Sequence, residues 1–135
     1  MILNNEQESI AFAQDFAKGL KAGDIVLFTG DLGSGKTFLC REIIKYFCGS
    51  NIDVVSPTFN LLQTYETSSF IIYHYDLYRL KSQEEIYELG IDEALQNNLS
   101  LIEWPEIIAN LLPKTSIKLN LQIIEDNKRS ITILV

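Results

Sequence analysis

Residues 30–37, Gly-Asp-Leu-Gly-Ser-Gly-Lys-Thr, carry the strongest fold signal in this chain. They match the phosphate-binding pattern G-x-x-x-x-G-K-[ST], in which glycines let successive backbone N–H groups turn inward around an anion. In this pattern we expect Lys36 to reach the β- and γ-phosphates of a nucleotide and Thr37 to offer its hydroxyl to Mg²⁺. The other expected nucleotide contacts come from the loop itself, at Asp31, Leu32, Gly33, Ser34 and Gly35.

The flanking sequence supplies the strand and the helix that such a loop requires. Residues 25–29 form a short, unbroken apolar run rich in β-forming residues, which predicts a strand covered on both faces. A helix is predicted from Lys36 to about Cys48, where Gly49 ends it. The loop therefore leads into a helix N-terminus, whose unpaired N–H groups and positive dipole end favour anions.

The rest of the sequence alternates predicted helices and strands. Capping boxes at Asn4 with Gln7 and at Ser82 with Glu85 predict helices that run to about residues 20 and 89. Strands are predicted over residues 59–65, 70–73, 99–102, 117–123 and 131–135, and a short helix over residues 106–111. Alternating apolar and polar residues make 117–123 typical of a half-solvated antiparallel strand.

These elements predict one P-loop ATPase domain over residues 1–135. Its fold class is α/β. We expect a P-loop NTPase-like three-layer sandwich, in which a mixed sheet has a parallel core and antiparallel strands toward the C-terminus.

Composition and charge are those of a globular protein that does not bind nucleic acid directly. Of the 135 residues, 47% are hydrophobic and 21% charged, and no apolar run approaches the ~20 residues of a membrane span. The chain has 18 acidic residues against 11 Lys and Arg, a net charge of −7, so direct binding to DNA or RNA is not expected. The lack of an export signal predicts a cytoplasmic protein, and Cys40 and Cys48, on one predicted helix, are expected to be reduced.

Two carboxylates are candidates for the acidic group that completes a magnesium site beside the loop. Glu103 ends the run 99–102, as a strand-end acid usually does, whereas Asp76 sits slightly beyond the run 70–73. Both are assigned as metal ligands with Thr37, and as catalytic groups with Lys36. Either could instead be a solvated acid at a strand end, and the sequence leaves open which one touches the metal.

Two further segments carry candidate polar groups. Residues 56–59, Ser-Pro-Thr-Phe, follow the lysine by about 20 residues, where many P-loop proteins carry a loop that closes on the γ-phosphate. Thr58 is the candidate sensor and catalytic residue there, and a turn made rigid by proline is the alternative. His74, the single histidine, is interpreted as a residue that hydrogen-bonds locally. Strand-end packing is the interpretation for Tyr73, Tyr75 and Tyr78.

Four motifs, taken in this order, resemble the TsaE (formerly YjeE) family of small bacterial P-loop ATPases of tRNA threonylcarbamoyladenosine biosynthesis. The motifs are GDLGSGKT (30–37), SPTF (56–59), YHYDLYRL (73–80) and IEWPE (102–106). The resemblance extends from the first helix to the final strands. Its His-x-Asp-x-Tyr-Arg and Glu-Trp elements are more distinctive than the phosphate-binding loop.

The resemblance implies a weak ATPase that uses ATP and Mg²⁺ and acts with two proteins, TsaB and TsaD. In the family, TsaB and TsaD transfer a threonylcarbamoyl group to tRNA, and TsaE resets or cycles their complex, so that tRNA is met only through the complex. Carried over by motif, the resemblance also implies that Trp104 lies beside the nucleotide and that Glu6 and Arg129 flank it.

The residues alone leave two other functions open. One is a small-molecule kinase on a P-loop scaffold, which the scarcity of arginines (Arg41, Arg79 and Arg129) and the lack of a lid-length insertion oppose. The other is a nucleotide-dependent adaptor without meaningful turnover, which the pair of acids Asp76 and Glu103 opposes.

Overall fold

The computed structural model describes residues 1–134, and Val135, the last residue of the predicted C-terminal strand, lies outside them. The strands of the described residues are β1 (Ile2–Leu3), β2 (Ile25–Gly30), β3 (Leu62–Glu66), β4 (Ile71–Asp76), β5 (Leu99–Glu103), β6 (Ile117–Glu125) and β7 (Lys128–Leu134). The α-helices are α1 (Glu6–Lys18), α2 (Lys36–Cys48), α3 (Glu85–Glu88) and α4 (Ile91–Ala94), and Pro105–Leu111 forms a 3-10 helix. The predicted α/β class is confirmed.

The strands form one mixed sheet in the order β1-β7-β6-β2-β5-β4-β3. β2 pairs in parallel with both β5 and β6, and β5 pairs in parallel with β4. The pairs β1–β7, β6–β7 and β3–β4 are antiparallel. The sheet therefore has the predicted parallel core and the predicted antiparallel strands toward the C-terminus of the chain, β6 and β7. At the opposite edge of the sheet, β3 adds a further antiparallel strand.

Helices cover the sheet on both faces, which gives the predicted three-layer sandwich. On one face, Ala17 of α1 and Ile43 of α2 belong to the same buried cluster as Phe28 of β2. On the other face, Ile86 of α3 packs in a cluster with Ile102 of β5. Neighbouring residues of β2 and β5 enter opposite clusters because successive side chains of a strand point to opposite faces. This two-sided burial explains why both strands are almost continuously apolar.

The topology brings three strand ends and one helix start to the same edge of the sheet. β2, β4 and β5 run in the same direction, so their C-terminal ends meet beside the N-terminus of α2. Ligands of open α/β sheets bind in the crevice outside these carboxyl ends. The fold therefore places residues 30–37 and the ends of β4 and β5 around one crevice.

The predicted starts of two helices differ from those in the structure. The predicted capping box at Asn4 and Gln7 is wrong by one residue, because Asn5 is the residue that caps α1. The Asn5 side chain accepts from the Glu8 N–H at 2.9 Å, and Glu8 Oε1 accepts from the Asn4 N–H at 3.0 Å. The predicted helix from Ser82 contracts to α3 because Ser82 does not cap it: Glu84 occupies the N-cap position. The N-terminal strand β1 was not predicted.

The strands that carry candidate site residues also differ from their predicted bounds. β3 begins at Leu62 instead of residue 59, because Leu61 has a left-handed φ of 68° and its N–H donates to the Pro57 carbonyl at 2.7 Å. β4 continues to Asp76, so the prediction that Asp76 lies beyond its strand is wrong. β6 is antiparallel to β7, as predicted, but it is also parallel to β2.

Cys40 and Cys48 lie on α2 as free thiols. Among residues 1–134, none of the helices combines the length and the apolar composition that crossing a membrane requires.

Candidate functional site

The loop of residues 30–37 has a backbone that only glycine allows at its first position. Gly30 has φ of +139°, and a Cβ there would lie 2.4 Å from the Leu121 carbonyl oxygen and 2.8 Å from Ser34 Oγ. Gly33 and Gly35 also have positive φ, +81° and +107°. The loop therefore turns sharply between β2 and α2, as the sequence pattern predicts.

The side chain of Lys36 lies folded back within this loop. Its Nζ donates to the carbonyl oxygens of Gly30 at 2.6 Å and Asp31 at 2.9 Å, and it lies 4.1 Å from the centroid of the Trp104 ring. Burial lowers the pKa of the ammonium, and nearby carboxylates, Glu103 first, oppose that effect. Lys36 is thus a desolvated cation whose partners are neutral carbonyls and an aromatic face, which phosphate oxygens can replace.

Glu103 joins the loop to the neighbouring strand. Thr37 Oγ1 donates to Glu103 Oε1 at 2.7 Å, and Glu103 Oε2 lies 2.6 Å from Nε2 of His74. Glu103 and His74 are 2% and 0% exposed. A buried carboxylate needs such donors because desolvation otherwise penalises its charge.

Asp76 lies directly across from Glu103 in the register of β4 and β5. It is 6% exposed and accepts from the Tyr78 N–H at 3.1 Å and from Thr58 Oγ1 at 3.4 Å. Burial is the largest cause that raises the pKa of Asp76, and the backbone N–H of Tyr78 opposes it. The alternative of solvated strand-end acids is therefore wrong for both carboxylates.

Thr58 is brought to the crevice by the turn that precedes β3. Its Oγ1 is 2.7 Å from Ser56 Oγ and also reaches Asp76, so the loop of residues 56–59 contacts the end of β4. One crevice of about 270 Å³ is lined by Thr58 together with Lys36, Thr37, Asp76, Glu103 and Trp104. The structure thus brings together the predicted catalytic and metal-binding residues.

Trp104 adopts a left-handed backbone conformation, with φ of 56°, between β5 and the 3-10 helix. Its indole contacts Lys36, and its ring centroid lies 4.8 Å from that of Tyr78 in a tilted arrangement. Tyr78 is 57% exposed. The packing interpretation holds for Tyr73 and Tyr75, which are buried and stacked 6.2 Å apart, but it is wrong for Tyr78, which lines the crevice.

Glu6 and Arg129 line a second cavity, of about 200 Å³, on the other side of the loop. Arg129 Nε donates to the Ser34 carbonyl at 3.0 Å, and its Nη1 donates to three carbonyls of the β6–β7 hairpin. The two cavities share Gly35 and Phe38, so they flank the loop. Asn5 and Phe38 line this cavity without having been predicted, because neither carries a motif signal.

The remaining loop residues differ in their access to the site. Leu32 is 71% exposed and lies at the loop tip, and the Asp31 side chain is exposed while its carbonyl accepts from Lys36. Ser34 is fully buried, and its Oγ has no hydrogen-bond partner among the described residues. A bound phosphate fits this place for three reasons. The Ser34 hydroxyl is orphaned, the glycine turns shape the loop, and the N-terminus of α2 has no side-chain cap at Gly35.

The donor set beside the loop also fits a magnesium ion. Thr37, Asp76 and Glu103 offer one hydroxyl and two carboxylates, which are the oxygen ligands that Mg²⁺ prefers. The interpretation of His74 as a residue that hydrogen-bonds locally is wrong, because its Nε2 lies 2.6 Å from Oε2 of Glu103, 29 residues away in sequence. The signal for His74 is the spacing His-x-Asp on a strand, which puts His74 and Asp76 on the same face.

Comparison with known proteins points to one family. The family model described as "Threonylcarbamoyl adenosine biosynthesis protein TsaE" matches residues 3–131. Proteins described as "tRNA threonylcarbamoyladenosine biosynthesis protein TsaE" are similar over nearly the whole chain. That of Rickettsia felis is 63% identical over 134 residues, covering 99% of this chain and 78% of the relative. That of Rickettsia bellii is 65% identical over 128 residues, covering 95% and 89%.

The fold is also similar to that of a solved structure, YdiB of Bacillus subtilis. The two structures superpose with a TM-score of 0.79 at 27% sequence identity. The match covers 98% of this chain and 82% of YdiB.

Proposed function

The chain belongs to the TsaE family, and from this premise we propose that it acts in tRNA threonylcarbamoyladenosine biosynthesis as a magnesium-dependent, weak ATPase that cycles the TsaB–TsaD complex. One observation carries the proposal. Thr37 Oγ1 and Glu103 Oε1 are 2.7 Å apart although 66 residues separate them in sequence, and they lie next to the buried Lys36. A hydroxyl and a carboxylate so placed beside a phosphate-binding loop suit a metal–triphosphate ligand.

Nucleotide binding is assigned to the loop and its neighbours. Lys36 exchanges the carbonyls of Gly30 and Asp31 for phosphate oxygens, which form charge-assisted and therefore stronger hydrogen bonds. Thr37, Asp76 and Glu103 are the residues that would hold Mg²⁺, and the ion supplies positive charge against the phosphate oxygens. The cavity beside Glu6 and Arg129 is the proposed place for the rest of the nucleotide.

Hydrolysis is assigned to positioning and electrostatics. Asp76 or Glu103 orients the attacking water, and Lys36 stabilises the charge that develops on the transferred phosphoryl group. Thr58 contacts Asp76 at 3.4 Å, and this contact supports a role for Thr58 as the sensor of the γ-phosphate. Loss of that phosphate would then release the loop of residues 56–59.

The charge and the surface around the crevice support a protein partner. The net charge of −7 disfavours direct contact with tRNA, so tRNA is expected to be met only through the TsaB–TsaD complex. Phe59, in the same loop as Thr58, is 79% exposed, and Leu32 at the tip of the phosphate-binding loop is 71% exposed. Both residues belong to loops whose positions are expected to differ between the ATP-bound state and the state after hydrolysis. A partner that contacts these side chains would detect that difference.

The kinase alternative finds little support in the arginines. The Arg129 guanidinium already donates to four backbone carbonyls, and Arg79 lies over the Phe59 ring at 4.8 Å. Both therefore have structural partners, whereas a phosphoryl-transfer enzyme needs arginines free to reach the acceptor and the transferred group.

Phosphate release tests the proposal and separates it from an adaptor without turnover. The wild-type protein should release phosphate slowly from MgATP and faster when TsaB and TsaD are added. The variant Lys36→Ala should lose both rates, whereas Lys45→Ala, on the same helix and paired with Glu42, should keep them. If the wild-type protein releases phosphate no faster than Lys36→Ala, with and without partners, the proposed ATPase activity is contradicted. The adaptor without turnover would then be the remaining function.

A further inference from the structure

The buried contact between His74 and Glu103 connects the crevice to a side chain that does not line it. We propose that His74 is a positioning residue, which holds the Glu103 carboxylate against Thr37 and so creates the magnesium-dependent part of the affinity for ATP. The inference rests on the proposed function, and it assigns a role to a side chain that does not face the ligand.

Each oxygen of Glu103 has a strong donor among the described residues. Oε1 accepts from Thr37 Oγ1 at 2.7 Å, and Oε2 lies 2.6 Å from His74 Nε2. Because a carboxylate only accepts, Nε2 carries the hydrogen of this contact. Two donors on opposite oxygens fix the rotation of the carboxyl group, which a single donor does not do.

The register of the sheet explains why the histidine is at this place. Asp76 of β4 is paired with Glu103 of β5, and His74 precedes Asp76 by two residues on the same face of β4. His74 therefore lies beneath Glu103, on the side away from the crevice. Asp76 faces the crevice, while His74 is fully buried.

A second polar side chain, Cys40, adjoins the pair of His74 and Glu103. Its Sγ and the ligand atoms of His74 and Glu103 all lie within 4.8 Å of one another. Cys40 is fully buried, and a thiol is only a weak hydrogen-bond donor compared with an imidazole N–H. His74 Nδ1 has no hydrogen-bond partner among the described residues, so the contact with Glu103 is the polar contact that orients this ring. Without His74, Oε2 would lose its strong donor in the core, and the Thr37 contact alone would leave the rotation of the carboxyl group unfixed.

The same arrangement is familiar from metal sites, where groups behind the ligands set ligand orientation. Removing such a group typically weakens metal affinity by about 10- to 100-fold. For this chain, the expected effect falls on the increase in ATP affinity that Mg²⁺ produces. ATP affinity measured without Mg²⁺ is expected to depend on the loop and Lys36, whereas the hydrogen bond of His74 goes to Glu103.

The test is calorimetric titration of ATP with Mg²⁺ and, separately, with EDTA. His74→Ala should keep the affinity seen in EDTA and lose about 10- to 100-fold of the gain from Mg²⁺. His74→Gln should keep most of the gain, because its amide can donate to Oε2, whereas the shorter His74→Asn should not. The matched control is Tyr75→Phe, which removes the hydrogen bond to the Leu89 carbonyl at 2.8 Å on the opposite face of β4 and should leave the gain unchanged.

The outcomes separate this role from a merely structural one. An equal loss of affinity in Mg²⁺ and in EDTA, or equal gains for His74→Gln and His74→Asn, would overturn the positioning role while the proposed function stands. If His74→Ala does not fold, the comparison of the Gln and Asn variants decides. A wild-type protein that binds no ATP under either condition would instead contradict the proposed function itself.

Discussion

Asp76 and Glu103 end two adjacent parallel strands at the same register position, so their carboxylates enter one crevice beside Thr37. Neither acid is solvated, since they are 6% and 2% exposed. Two acids in such a place repel each other, and burial adds to the cost of their charges. A cation held between them and the phosphates would relieve both effects, which is the physical basis for expecting Mg²⁺ here.

Removing the charge of Glu103 should weaken magnesium-dependent binding. Glu103→Gln keeps the size of the side chain and an acceptor for Thr37, but it removes a negative charge next to the loop. We expect ATP affinity in Mg²⁺ to fall at least about tenfold, or ~1.4 kcal/mol. Calorimetry measures this change, and Glu88→Gln on the exposed side of α3 is the control. Unchanged affinity in Glu103→Gln would remove Glu103 from the metal site.

Gly30 should be intolerant of any side chain. In Gly30→Ala, the added Cβ meets the Leu121 carbonyl oxygen at 2.4 Å in a backbone conformation with φ of +139°. We expect a loss of roughly 2–4 kcal/mol in the free energy of unfolding, from overpacking and backbone strain together. Urea denaturation measures it.

Gly23→Ala is the matched control for Gly30. Gly23 also has positive φ, +96°, but a Cβ there meets no atom within 4 Å. Only backbone strain applies, so the loss should be about 1–2 kcal/mol. Equal losses at the two positions would mean that the close approach of β6 to the loop is not what requires Gly30.

Some parts of the site are predictable from the sequence, and others depend on how the strands pair. The loop, β2 and α2 are encoded locally, by glycine spacing and an apolar run, and Glu103 is marked by its place directly after the apolar run 99–102. His74 could not be assigned, because its contact with Glu103 joins residues 29 apart and depends on the register of β4 and β5. Asp76 was misplaced for a related reason: its predicted strand ended at the last apolar residue, although pairing with β5 extends the strand to Asp76.

The pKa of Asp76 predicts how stability depends on pH. Burial raises this pKa above the ordinary value of 3.8, so the folded state holds the proton more tightly than the unfolded state does. The contribution of Asp76 to stability is therefore fully present below pH 3.8 and is lost as the pH rises through the folded-state pKa. Asp76→Asn should be more stable than the wild type at pH 7, and the difference should disappear below pH 3.8.

Urea denaturation across this pH range tests the prediction for Asp76. Asp15→Asn, whose side chain is 79% exposed, serves as the control for changes in net charge. A gain in stability from Asp76→Asn that grows as the pH is lowered would have the opposite sign to that expected from burial.

Arg129 should stabilise the phosphate-binding loop from outside the crevice. Its guanidinium joins the Ser34 carbonyl to three carbonyls of the β6–β7 hairpin. Arg129→Ala should cost about 1.5–3 kcal/mol of unfolding free energy, the usual contribution of hydrogen bonds from a charged group, and should lower ATP affinity. Arg129→Lys should restore little, because one ammonium cannot reach the loop and the hairpin together. Full restoration by lysine would show that only the charge matters.

The binding of MgATP to the purified wild-type protein is the most direct test of the crevice as a nucleotide site. Titration calorimetry should show saturable binding to a single site, with the signal lost in Lys36→Ala and kept in Lys45→Ala. If folded wild-type protein gives no binding heat with MgATP, alone or with TsaB and TsaD present, the crevice formed by Lys36, Thr37, Asp76 and Glu103 is not a nucleotide site.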